Sequence, residues 1–275
     1  MAAVARWLGA VAAFLVGDLL RVRRRHVVES MQRAGIADPE GTASAMYRSL
    51  GAALVELFLS PFLERRVRLD PRALSRARER GAVIATAHTG SFDLVGCAAA
   101  RELPLTVVTK RLSLGLLDGV WQRWRARRGV RLVAAGAAAR AARQALGRGE
   151  AVAMLFDQAP ERTRATVRAA FLGQVASVDL APALLAARAR VPLLVVLCHR
   201  TPIGDHVAEL RLALEPPPRA ARAWAEQAMR EATTCLDAFV REHPAQWLWM
   251  HRRWKDPSTV RAIRARSPAR APCSP

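Results

Sequence analysis

One short segment holds residue types that chemistry needs at a spacing chemistry can use. It reads Ala85-Thr86-Ala87-His88-Thr89-Gly90-Ser91-Phe92-Asp93, passing from an apolar run into a helical one across a glycine. In a parallel α/β sheet, ligands bind in the crevice beyond the carboxyl ends of the strands, so His88 stands where a general base would be placed. Asp93 follows five residues later. If the chain turns at Gly90 into a helix, this carboxylate reaches the imidazole, fixes its tautomer and stabilises the imidazolium formed on proton uptake. The plainer reading of the same spacing is a hydrogen-bonded core histidine and a carboxylate in the first turn of a helix.

A second polar position ends a later apolar run, Met154-Leu155-Phe156-Asp157-Gln158, and the loop after it holds Glu161, Arg162, Arg164 and Arg168. An acid directly after a buried strand must face a crevice or a partner. Arginines on the same edge suit an anionic substrate, such as a phosphorylated lipid or a phosphopantetheine arm, although a solvated charged loop explains any one of them. Other chemistries fare worse. Ser91 is not in a G-x-S-x-G elbow, Cys97 and Cys198 sit in apolar runs, and there is neither a phosphate-binding G-x-x-x-x-G-K-[ST] loop nor a dinucleotide-binding G-x-G-x-x-G turn. The histidines and cysteines show no metal-ligand spacing, so no metal is expected.

These residues need elements to position them. Apolar residues at helical spacing from Pro39 to Leu63 predict a helix closed near Pro61. Strands are expected at Val83–Ala87, Leu105–Thr109, Val130–Ala134, Ala151–Phe156, Leu193–His199 and Val207–Leu214. Helices are expected at Phe92–Arg101, Leu116–Arg128, Ala137–Leu146, Val178–Arg190 and Arg219–Arg241. Strand and helix in alternation, with continuous apolar strands, predict an α/β fold: one domain with a mostly parallel central sheet flanked by helices and preceded by an N-terminal helical region.

The chain of 275 residues carries 43 basic against 23 acidic side chains, a net charge of +20, and is 52% hydrophobic, which excludes a disordered basic tail protein and a Pro/Gly-driven fibre. Only Lys110 and Lys255 are lysine; the other basic residues are arginine, a surface that attracts anionic lipid, acidic protein or nucleic acid. No nucleic-acid fingerprint appears, so nucleic acid is not expected as a partner. Four widely spaced cysteines read as reduced thiols. The apolar stretch Trp7–Leu20, interrupted by Asp18 and followed by Arg21 and Arg23 to Arg25, is short for a span and suits an interfacial helix over residues 1–22. Residues 256–275, rich in Pro, Arg and Ser, read as a disordered basic tail. Near it, Gln246-Trp247-Leu248-Trp249-Met250-His251-Arg252-Arg253-Trp254-Lys255 packs three tryptophans among basic residues, for a membrane interface or for the core.

Three separated matches make the chain resemble the bacterial lipid A biosynthesis acyltransferases, the late lauroyl and myristoyl transferases, within the wider glycerolipid acyltransferase superfamily. His88 through Asp93 looks like the H-x4-D/E motif. Asp157-Gln158 through Phe171-Leu172-Gly173-Gln174 looks like the D-Q segment and the F-F-G block. Gln246 through Lys255 matches the Q-W-x-W-x-H-R-R-W-K ending. The resemblance runs from about Arg23 to Lys255. It implies an acyltransferase domain over 23–255 that moves a fatty acyl chain from acyl carrier protein, or CoA, to a hydroxyl of a membrane lipid at the cytoplasmic face of the inner membrane. It also implies His88 as general base with Asp93 orienting it, no cofactor and no covalent intermediate. Substrate contacts implied by the resemblance and the loop are Arg125, Arg127, Asp157, Gln158, Arg162 and Arg164. The sequence departs from the family at Asp93, where Glu is commoner, and at Ala170, where Pro usually stands. The acceptor is therefore expected to be a lipid A precursor or another lipid, such as a phosphatidylinositol mannoside or an aminolipid. The rivals are a non-enzymatic basic protein that binds anionic membrane or nucleic acid, and a thioesterase using the same histidine with water.

Overall fold

The computed structural model describes residues 7–11, 14–109, 115–134, 138–161, 164–219 and 221–255. The basic tail expected at 256–275, Arg162 and the first six residues lie outside them. Residues 7–11 are helical and Phe14–Leu19 form a π-type turn. Helices α1 (Arg24–Arg33) and α2 (Pro39–Phe58) follow, then a single turn α3 (Ser60–Leu63). The α2 start is written locally: the Asp38 carboxylate accepts the Gly41 N–H at 2.9 Å, and Pro39 occupies the first helical position, where a missing N–H costs nothing.

The remainder alternates: β1 (Val67–Leu69), α4 (Pro71–Arg80), β2 (Ala82–Thr86), α5 (Phe92–Glu102), β3 (Leu105–Thr109), α6 (Gly115–Arg127), β4 (Arg131–Ala134), α7 (Ala138–Gly147), β5 (Ala151–Leu155), the hairpin β6 (Thr166–Phe171) and β7 (Gln174–Asp179), α8 (Ala181–Ala189), β8 (Leu193–Arg200), β9 (His206–Leu214) and α9 (Arg222–Glu242). The seven-stranded sheet has the order β1-β9-β8-β2-β5-β3-β4. From β8 to β4 every pair is parallel, while β9 runs antiparallel to β8 and carries β1 with it. The α/β expectation holds, and most elements match to within a few residues.

Two readings are corrected. Val178 does not open a helix; it is a buried residue of β7, and α8 starts at Ala181 with Pro182 in its first turn. The stretch 166–179 is a hairpin whose burial alternates with period two and whose turn residues, Leu172 and Gly173, both have positive φ (51° and 75°), the conformation of a tight two-residue hairpin. Asp237 of α9 accepts the Leu172 N–H and pins that turn to the body.

The two faces of the sheet are filled differently. One packs against α7, α8 and α9 with large rings, Phe156, Phe171, Phe239, Trp247 and Trp249. The other, under α4, α5 and α6, is built from smaller groups such as Ala77, Ala82, Ala151, Ala153 and Val107.

Candidate active site

Pairing register brings the two strand-end polar residues together. Strands β2 and β5 are parallel neighbours with Thr86 opposite Leu155, and Phe156 N–H donates to the Thr86 carbonyl at 3.0 Å. Two residues beyond each strand, His88 and Asp157 therefore meet at the carboxyl edge of the sheet. His88 Nδ1 lies 2.9 Å from Asp157 Oδ1, and its backbone N–H donates to Oδ2 at 3.0 Å. The Trp247 indole N–H donates to the same Oδ2 at 3.0 Å. Asp157 is fully buried; burial alone would raise its carboxyl, but the facing His88 imidazole, its hydrogen bonds and nearby His251 hold it well below the usual carboxylate range. An ionised Asp157 keeps the proton on Nδ1 and leaves Nε2 as the basic nitrogen.

Around Nε2 the site is polar on one side and apolar on the other. Gln158 Nε2 lies 3.5 Å from His88 Nε2 and 3.3 Å from His251 Nε2, and the two imidazole centroids are 4.6 Å apart. The Phe92 ring stands edge-on to His88 at 5.0 Å. Beyond Phe92 a cavity of about 100 Å³ opens between α5 and the sheet, several times the space of one water, lined almost wholly by apolar groups. His88, Asp157 and His251 also bring ligand atoms within 4.8 Å of one another, the spacing a cation would need, which no spacing along the chain announces. With Asp157 already accepting from the His88 ring, backbone and Trp247, the donor set fits a hydrogen-bonded base better than a metal centre.

The expectation that Asp93 orients His88 is corrected. Asp93 sits in the first turn of α5, where its Oδ1 lies 3.1 Å from Arg125 Nε in an ionic contact without hydrogen-bond alignment. Its burial pushes the carboxyl above the ordinary range despite Arg125 and His88 nearby. Asp93 and Arg125 both line the cavity, so Arg125 reaches the site through Asp93. Gln158 lies beside His88 and His251. Arg127 and Arg164 are exposed, and no described hydrogen bond or ion pair ties either to the His88 cluster. Cys97 and Cys198 are buried, which pushes both thiols up to about 12, as befits inert packing residues.

The residues that sequence reasoning left unassigned come from the C-terminal segment. Gly90 N–H donates to the Gln246 carbonyl at 2.8 Å, Leu248 N–H to the His88 carbonyl at 3.1 Å, and Thr89 bridges Trp247, so this segment braces the His88 turn like a short extra strand. The Gln246 side chain imitates a backbone, accepting from Arg200 N–H at 2.7 Å and donating to its carbonyl at 2.9 Å. Gly90 is required at this turn: its φ is +50°, and a Cβ would meet the Cys198 carbonyl at 2.8 Å. The Arg253 guanidinium, fully buried over the Phe171 ring, donates to the Gln158 and Ser177 carbonyls at 2.9 and 2.8 Å; burial lowers it to about 10. Trp247 and Trp249 are core residues, which decides between the two readings of the tryptophan cluster.

A buried carboxylate, a strand-end histidine and an apolar cavity at the carboxyl edge of a mostly parallel sheet together form the candidate active site of an α/β enzyme. Residues 37–256 match the bacterial lipid A biosynthesis acyltransferase family, and the chain belongs to that family. It is an acyltransferase of lipid A or glycerolipid type, which sets aside the non-enzymatic rival. Among solved structures the chain is similar to the 1-acyl-sn-glycerophosphate (LPA) acyltransferase PlsC from Thermotoga maritima, at 14% identity and a TM-score of 0.42, over 88% of this chain and 99% of that one. A search of curated proteins finds no match.

Proposed function

We propose that the protein moves a fatty acyl chain from an acyl thioester to a hydroxyl of a lipid A precursor or related glycolipid, with His88 as general base and Asp157 as the carboxylate that orients it. The observation behind this assignment is the 2.9 Å contact between His88 Nδ1 and Asp157, which points the basic Nε2 at Gln158 and His251 beside the cavity. Nε2 takes the acceptor's hydroxyl proton as the oxygen attacks the thioester carbonyl. The imidazolium, stabilised by Asp157, then returns the proton to the departing thiolate. The Gln158 amide N–H is placed to donate to charge developing on the carbonyl oxygen. No cofactor enters this scheme.

Acyl carrier protein, an acidic partner, suits the +20 charge as donor, with CoA the other candidate. No helix among the described residues is long and apolar enough to cross a membrane. Trp7, Phe14, Leu20 and Phe62 are each more than half exposed, with Arg21, Arg23 and Arg25 close in sequence to the first three; this favours a chain that lies on the cytoplasmic surface of the inner membrane.

Lipid mass spectrometry of a host expressing the wild-type chain, His88→Ala or Asp157→Asn tests the reading. An added acyl mass on one lipid class, reduced about 10²- to 10⁴-fold in both variants, is expected. The class that gains the mass separates lipid A from phosphatidylinositol mannoside and aminolipid acceptors, and no gain in any class would overturn the proposal.

A further inference from the structure

Ser91 stands at the N-cap of α5, where a serine oxygen ordinarily accepts a hydrogen bond from an N–H of the first turn, and here it makes no such bond. Its hydroxyl faces away from the helix. It donates to the Glu56 carboxylate and accepts from Arg200 Nη2 at 3.0 Å. Glu56 comes from α2 and Arg200 ends β8, so three side chains join α2, the sheet and the His88 turn, with Glu56 and Ser91 both buried. Arg200 Nε also donates to Glu56 at 2.8 Å, and its Nη1 to Ser49 Oγ of α2 at 3.2 Å. Stability does not account for this cluster. Apolar residues of the same volume often match or better a buried ion pair, and a diverted cap leaves the first N–H groups of α5 without the side chain that would satisfy them. What the cluster fixes is position. His88 is held by Asp157, Thr89 by Cys198 and Trp247, and Gly90 by Gln246; Ser91 closes the turn, and Glu56 with Arg200 holds it.

We propose that Glu56 and Arg200 are positioning residues for the transfer reaction: by drawing Ser91 out of its capping role they fix the far end of the turn and keep the His88 imidazole seated on Asp157. This rests on the reading of His88 as the base. The pair acts through the backbone. With Ser91 released, the turn pivots about Gly90, whose positive φ no Cβ restrains, and the imidazole shifts against its carboxylate. A displacement of about 1 Å at a reacting group costs on the order of 10²-fold in rate.

The test compares the full wild-type chain with the paired variant Glu56→Leu/Arg200→Met, with Ser91→Ala and with Ser91→Thr. One readout is the solvent exchange of the His88 Nδ1 proton by NMR, a signal assigned by its loss in His88→Ala; the other is the acyl mass added to host lipids at equal protein level. The paired variant leaves no lone buried charge and frees Ser91 to cap α5, so it should melt within about 5 °C of the wild type. It should nevertheless exchange the Nδ1 proton at least about tenfold faster and add about 10- to 10²-fold less acyl mass. Ser91→Ala should move both readouts the same way by a smaller factor, and it carries the test if the paired variant does not fold. Ser91→Thr keeps the hydroxyl and should hold both readouts within about threefold of the wild type. A folded paired variant with either readout within about twofold of the wild type, or a Ser91→Thr chain that behaves as Ser91→Ala does, overturns the proposal. If proton exchange follows the pair while the wild-type chain acylates no lipid, the reading of the reaction falls and the seating of the imidazole by Glu56 and Arg200 stands.

Discussion

The two faces of the central sheet obey opposite rules. Against α7, α8 and α9 the interior is closed with aromatic rings, Phe171 against Trp247 at 5.3 Å between centroids and Trp247 against Trp249 at 4.8 Å, and this stack ends on Asp157 through the indole N–H. Under α4, α5 and α6, small residues face one another across a cavity. The filled face holds the His88 turn still, and the hollow face leaves space unpacked. Tight packing and open space thus lie on opposite sides of one set of strands, and Asp157 and His88 sit at the seam.

Stability measurements can break this contrast. Phe171→Ala on the filled face should cost about 3–5 kcal/mol in denaturant unfolding, whereas Val107→Ala, beside existing empty space, should cost about 1–2 kcal/mol. Equal losses would mean that the cavity face is as tightly packed as the other.

A second, smaller effect sharpens the contrast at the β8–β9 end, where polar groups fill the interior. Glu56 accepts from Arg200 Nε at 2.8 Å and from the Ser91 hydroxyl, and His206 Nε2 lies 3.7 Å away. His206 is buried with no hydrogen bond to either ring nitrogen; burial lowers it to about 4, with Arg200 adding to the shift and Glu56 opposing it. As pH falls from about 6.5 to 4 the unfolded chain binds a proton there that the folded chain does not, so folding loses on the order of 3 kcal/mol across that window. His206→Leu should flatten the difference in unfolding midpoint between pH 7 and pH 4.5. Asp157, with its carboxyl held low, adds its own loss only below about pH 4. The smallest effects belong to the exposed arginines. Arg127→Ala and Arg164→Ala should leave stability within about 0.5 kcal/mol and alter donor KM only at low salt, a dependence read by repeating the kinetics at high ionic strength.

The strand-helix alternation was legible because buried parallel strands are short continuous apolar runs between turn residues, and β2, β3, β5 and β8 all are. His88 and Asp157 were legible as polar residues closing such runs. Which carboxylate faces the imidazole was not: Asp93 is nearer in sequence, but α5 aims it at Arg125, and the neighbour relation of β2 and β5 is a property of sheet order that five residues of spacing do not encode. His251 and Arg253 were visible only as parts of a basic, tryptophan-rich run, because their roles arise from pairing with residues more than seventy positions away. The β6–β7 hairpin had a local signal, Val167, Ala169 and Phe171 alternating before Leu172-Gly173, which the apolar run after it obscured.

The bracing of the His88 turn by Gln246–Leu248 has a consequence for synthesis. The histidine, the carboxylate it meets and the indole that donates to that carboxylate are contributed by residues 88, 157 and 247, so a ribosome-bound chain presents the histidine long before the segment that seats it has emerged. A nascent chain halted before Gln246 should therefore lack the seated His88 turn, and acyltransferase activity should arise only as that last brace docks.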